Sequence, residues 1–144
     1  MAIVNIRDTG RNSAKTADVR ALATKVQKPS DTEAITAANT ITAAESGTRF
    51  VMNTATARIQ TLPTPAAGLE YWFYVGATEP TGTHTIVTAS SANIIVGNVS
   101  SPEDAAGNVA TVTDADTISL VASKAVHGDF VHVWSDGTNW YLDG

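Results

Sequence analysis

The stretch Gly128–Gly144, GDFVHVWSDGTNWYLDG, decides the fold class. Two strand-like runs flank Asp136-Gly137. Asp-Gly is a strong tight-turn signal, because glycine takes a positive φ without steric cost and aspartate tolerates it. A two-residue loop would set Val133 opposite Trp140. A loop of Asp136 to Asn139 would set it opposite Leu142. Both registers put Val131, Val133, Trp140 and Leu142 on one face, since side chains alternate along a strand. The same alternation gathers Phe130, His132, Trp134 and Tyr141 on the other face. The first set reads as core. The second is too aromatic for a face left wholly to water, and it is expected to form an oligomer interface, where such residues are enriched. A carbohydrate platform and a second core layer are the alternatives.

Working outward, strand signals continue back to Ile35. The segments AITAANTITAAESGTRFVMNT, ARIQTLPTPAAGLEYWFYVG, THTIVTASSANIIVGNVSS and GNVATVTDADTISLV hold short β-branched or aromatic runs separated by Gly, Pro, Asn and Ser. Turn signals recur every ~8–12 residues, giving about nine short strands. The expected fold is mainly β, an antiparallel sandwich or barrel. No exact internal repeat is visible. The β domain is expected over residues 35–144, preceded by an arm over residues 1–34. Within the arm, MAIVNI suits a short strand. Residues 17–28 suit one short helix, with Thr16 as N-cap, Val19, Leu22 and Val26 as an apolar stripe, and Pro29 as its end. A helix of roughly eleven residues is marginal alone in water, so it should dock on something.

Charge divides the chain the same way. The net charge is −5. Residues 1–28 carry six cations (Arg7, Arg11, Lys15, Arg20, Lys25, Lys28) against Asp8 and Asp18. The rest carries Arg49, Arg58 and Lys124 against twelve acids. A basic segment beside an acidic body suggests a segment with its own partner. Nucleic acid is not the expected one. The arm has no aromatic residue to stack on bases, and the acidic body repels a polyanion. No apolar run approaches the ~18 residues of a membrane span, so no membrane partner is expected. With no Cys there is no disulfide framework.

The candidates for chemistry are weak. His127, Asp129 and His132 lie close in sequence, but His127 and His132 differ by an odd number and would point to opposite faces of one strand. Asp114 and Asp116 read as a solvated turn rather than a calcium loop. Glu103, Asp104 and Glu70 have nothing to fix their separation as an acid and base pair. Asn98-Val99-Ser100 matches a glycosylation sequon without a secretion signal before it. No catalytic residue, metal site or cofactor is expected, and the chain is not expected to be an enzyme.

From about residue 35 the chain resembles the small β-rich structural proteins of tailed phages, nearest the head decoration or cement proteins. The resemblance rests on LPTPAAGLEYWFYV, on THTIVT and NIIVGNV, and on the closing GD, alternating apolar residues and SDGTNWY. It implies a non-enzymatic virion protein on the capsid surface, made in the host cytoplasm. It implies a homo-oligomer, a trimer, that clamps adjacent major capsid proteins. The arm residues Ile3, Val4, Ile6, Arg7, Arg11, Lys15 and Arg20 are then the expected capsid contacts. A tail fibre, spike or adaptor component, binding another tail protein or a host glycan, is the alternative.

Overall fold

The computed structural model describes residues 31–77, 80–100 and 109–144, and Asp31–Gly144 forms one unit. The arm residues Ile3, Val4, Ile6, Arg7, Arg11, Lys15 and Arg20, the helix expected over 17–28, and Glu103 and Asp104 lie outside the described residues. Eleven strands are present among those described. They are β1 (Thr32–Ile35), β2 (Asn39–Thr40), β3 (Arg49–Met52), β4 (Ile59–Thr61), β5 (Glu70–Val75), β6 (His84–Val87), β7 (Ile95–Ser100), β8 (Val109–Ala115), β9 (Thr117–Leu120), β10 (Phe130–Ser135) and β11 (Trp140–Asp143). Two short 3-10 turns, Ala43–Glu45 and Ala89–Ser91, interrupt the connections.

The strands form a seven-stranded sheet in the order β1-β3-β5-β10-β11-β7-β8 and a four-stranded sheet in the order β2-β4-β6-β9. Neither is closed into a barrel. The fold is mainly β as expected, but the sheets are mixed rather than antiparallel. From β1 to β6 the chain crosses to the other sheet after every strand. Successive strands within one sheet therefore run the same way: β1 with β3, β3 with β5, β2 with β4, and β4 with β6 are all parallel. Hairpin reasoning assumes that consecutive strands pair, and here they do not. Strand β1 begins three residues before position 35, where the sequence places the start of the β domain.

This winding stacks equivalent side chains between the sheets. Ile35, Met52 and Val75 form one register row, and Phe50, Phe73 and Val131 the next; all six are buried. Phe50 and Phe73 stack with ring centroids 5.4 Å apart. Tyr71, Val133 and Leu142 extend the core, and Trp140 closes it against Tyr71 at 5.8 Å. Small-sheet residues Ile41, Leu62 and Ile86 cap these rings from the opposite side.

The β10–β11 hairpin sits at the middle of the large sheet, antiparallel to β5 on one flank and parallel to β7 on the other. Its loop is Asp136 to Asn139, because Val133 pairs with Leu142 and Ser135 with Trp140. Asp136 explains the longer loop. Its Oδ1 accepts the N–H groups of Thr138 and Asn139, at 2.8 and 2.9 Å, so the side chain closes the turn. Gly137 supplies the positive φ of 103°. Beside the hairpin, Gly97 of β7 lies at a register shift with φ near +147°, where a Cβ would run into the carbonyl oxygen of Leu142.

Candidate functional site

The most distinctive surface is the outer side of the large sheet, built by β3, β5, β10 and β11. Alternation in β10 buries Val131, Val133 and Ser135 and turns Phe130, His132 and Trp134 outward. Alternation in β5 buries Tyr71, Phe73 and Val75 and turns Glu70, Trp72 and Tyr74 outward. Tyr141 of β11 faces the same way, opposite Trp134. The four residues expected to share a face do share one. Trp72 and Tyr74 join them, which sequence reasoning did not foresee.

The register assembles these groups into three rows. One holds Val51, Tyr74 and Phe130; one holds Arg49, Trp72, His132 and Asp143; one holds Glu70, Trp134 and Tyr141. Each row contains a stacked ring pair. Tyr74 and Phe130 lie 5.6 Å apart at 26°, Trp72 and His132 4.4 Å at 10°, and Trp134 and Tyr141 4.3 Å at 15°. Cross-strand neighbours about 4.8 Å apart can stack in this way when their side chains stand off the sheet side by side. Phe130 is 47% exposed and Trp134 39%. Five aromatic rings and the His132 imidazole thus share one outward face, an extended aromatic patch.

The polar groups frame the rings. The Arg49 guanidinium lies over Trp72, 5.7 Å from the ring centroid. Since β5 lies between β3 and β10, Arg49 and His132 cover opposite faces of that indole. His132 Nε2 stands 3.7 Å from Glu70 Oε2, outside hydrogen-bond reach, and has no hydrogen-bond partner among the described residues. Tyr141 donates its hydroxyl to Asp136 Oδ2 at 2.9 Å. Asp136 is thereby held below the ordinary carboxylate range, chiefly by the N–H groups of Asn139 and Thr138 and then by Tyr141. The same bond holds the Tyr141 hydroxyl above its ordinary range.

The other expected candidates do not converge on chemistry. Asp129 Oδ2 accepts the Val126 N–H at 2.9 Å, a turn contact. His127 precedes β10, while His132 stacks on Trp72. Among the described residues no group of three His, Asp or Glu side chains could hold a metal ion. Glu70 belongs to the aromatic face. An open groove of about 510 Å³ runs beside β9, lined chiefly by Leu120, Val121, Val126 and Val131, with Phe130 at its rim. No described helix is long and apolar enough to cross a membrane. Comparison with protein-family models, with curated proteins and with solved structures finds no match.

Proposed function

We propose that this chain is a non-enzymatic virion structural protein, a capsid decoration or cement protein that self-associates and stabilises a phage head. The observation that carries the reading is the outer face of the large sheet, with its three stacked ring pairs. Interfaces take their binding strength from buried aromatic and arginine side chains, and Arg49, Trp72, Trp134 and Tyr141 supply both on one flat surface. In this reading the face joins copies of the chain, a trimer by the resemblance. The basic segment before residue 29 then reaches the major capsid protein, using Ile3, Val4, Ile6, Arg7, Arg11, Lys15 and Arg20. Several such segments on one oligomer would raise avidity without a new contact. No nucleic acid or membrane takes part, and the protein resides on the capsid surface after synthesis in the host cytoplasm.

A sugar platform fits the geometry less well. Sugars stack on free ring faces, and Trp72 has both of its faces covered while each other ring has one face against its partner.

The test is co-sedimentation of the full-length protein with mature heads of its own phage, beside a chain lacking residues 1–28. Saturable binding that disappears with residues 1–28 is expected. Binding to tails or host cells instead of heads would move the protein to the tail and overturn the decoration reading.

A further inference from the structure

The middle row of the aromatic face runs Arg49, Trp72, His132, Asp143 across four adjacent strands. A cation stands at one end, a carboxylate at the other, and two stacked rings between them. Three strand spacings separate the charged ends, about 14 Å, so Arg49 and Asp143 of one chain are too far apart to pair. We propose that this face packs against a second copy of the chain about a two-fold axis between Trp72 and His132, seating Arg49 of each copy on Asp143 of the other.

Charge complementarity of the face with itself selects the second copy as the occupant. A half-turn about the midpoint of the row exchanges Arg49 with Asp143 and Trp72 with His132. The axis lies in the interface and runs parallel to the strands, so each row faces its own copy: Tyr74 lies over Phe130, and Glu70 over Trp134. Rings meet rings in two of the three rows, and each unlike-charge pair forms twice, as an isologous contact requires. Without that pairing two copies of an acidic body would repel each other. The inference rests on the reading of the outer face as a self-association surface, and it gives that face a two-fold dimer in place of the trimer that the resemblance implies.

The test is sedimentation of the full-length protein across a concentration series, with circular dichroism to verify folding of each variant. The wild-type chain is expected to dimerise. Arg49→Glu and Asp143→Arg, alone, should each raise the dimer Kd at least about tenfold, because both contacts become like-charged. An equimolar mixture of the two variants should restore dimers, since a heterodimer of these two has opposite charges at both contacts. A three-membered ring cannot alternate two variants, so mixing would not restore a trimer. Should Arg49→Glu fail to fold, Arg49→Gln, Asp143→Asn and their double variant carry the same test, with a double-variant loss smaller than the sum of the single losses expected. A wild-type trimer dispersed by Trp134→Ser would overturn the two-fold and keep the aromatic interface. Association unchanged by Trp134→Ser, or a wild-type monomer at every concentration, would overturn both. Single variants that sediment like wild type, or additive losses in the neutral pair, would overturn the two-fold.

Discussion

Strands β5 and β10 send alternate side chains to opposite sides of one sheet, and the two sets of rings obey different rules. Inside, Phe50, Tyr71, Phe73 and Trp140 are fully covered, and their rings meet at 5.4 to 6.2 Å with tilts of 20° to 47°. Outside, Trp72–His132 and Trp134–Tyr141 lie at 4.4 and 4.3 Å, within 15° of parallel, while Tyr74–Phe130, at 5.6 Å and 26°, resembles the inner pairs. Core rings interlock with neighbours on every side, from both sheets. Outer rings are arranged by strand register, and the Trp72–His132 and Trp134–Tyr141 pairs stack like slats close to the strand spacing. Removing an inner ring should therefore cost stability, whereas removing an outer ring should cost association.

The sharpest way to break that contrast is to truncate one ring on each side. Phe73→Ala should lower unfolding free energy by about 3–5 kcal/mol, because it leaves a cavity among rings that cannot collapse. Urea unfolding measures this, and a loss below about 1 kcal/mol would show that the inner stack is not the core. Next comes the backbone between the two halves of the sheet. Gly97→Ala should cost about 2 kcal/mol or more, since the added methyl meets the Leu142 carbonyl and the φ is one that side chains resist. The matching outer change, Trp72→Ala, should cost only about 0.5–1.5 kcal/mol in the monomer. A value near that of Phe73→Ala would erase the distinction.

Acid titration separates the interior from the surface by pH. His84 is fully buried, and burial is the main cause of its lowered pKa. Its Nε2 donates to Thr54 O at 3.0 Å in the neutral ring, and Nδ1 has no partner to receive a second proton's N–H. A lowered folded-state pKa means that the unfolded chain binds the proton first. Stability from His84 is thus complete above 6.5, the unfolded value, and declines as pH falls below it. Asp136 on the outer side is also lowered, so its contribution is complete above 3.8 and is lost only below that. Urea midpoints followed from neutral to acid pH should show an upper step absent in His84→Gln and a lower one reduced in Asp136→Asn. A single step common to both variants would refute the separation.

The terminal hairpin was legible in the sequence because two signals agree there: a turn dipeptide, and alternation that puts Val131, Val133, Trp140 and Leu142 on one face. The parallel pairing was not. Alternation tells which way a side chain points but not which strand lies beside it, and the crossing between sheets leaves no mark in local pattern. In EYWFYV both faces carry aromatic rings, and the one local mark is Glu70, whose alternation puts Trp72 and Tyr74 on the outward face. What that mark cannot show is that β5 lies beside β10, which joins its rings to those of the hairpin. In β4, polarity even points the wrong way: Ile59 is 53% exposed while Gln60 is fully buried. Gln60 shares its face with Leu62, and the pull of Leu62 into the core fixes the strand's orientation. The amide then donates to Ala37 O at 3.3 Å.

The central position of β10–β11 bears on how a nascent chain matures. Strands β1, β3 and β5 make one half of the large sheet, and β7 and β8 the other; both leave the ribosome before the pair that joins them has been made. Until then β5 and β7 each present an open edge, with Tyr71, Phe73 and Ile95 next to it. Unpaired edges of this kind recruit other chains. The final strands thus act as a keystone, and the interval before they arrive is when a growing chain most needs the protection of a chaperone.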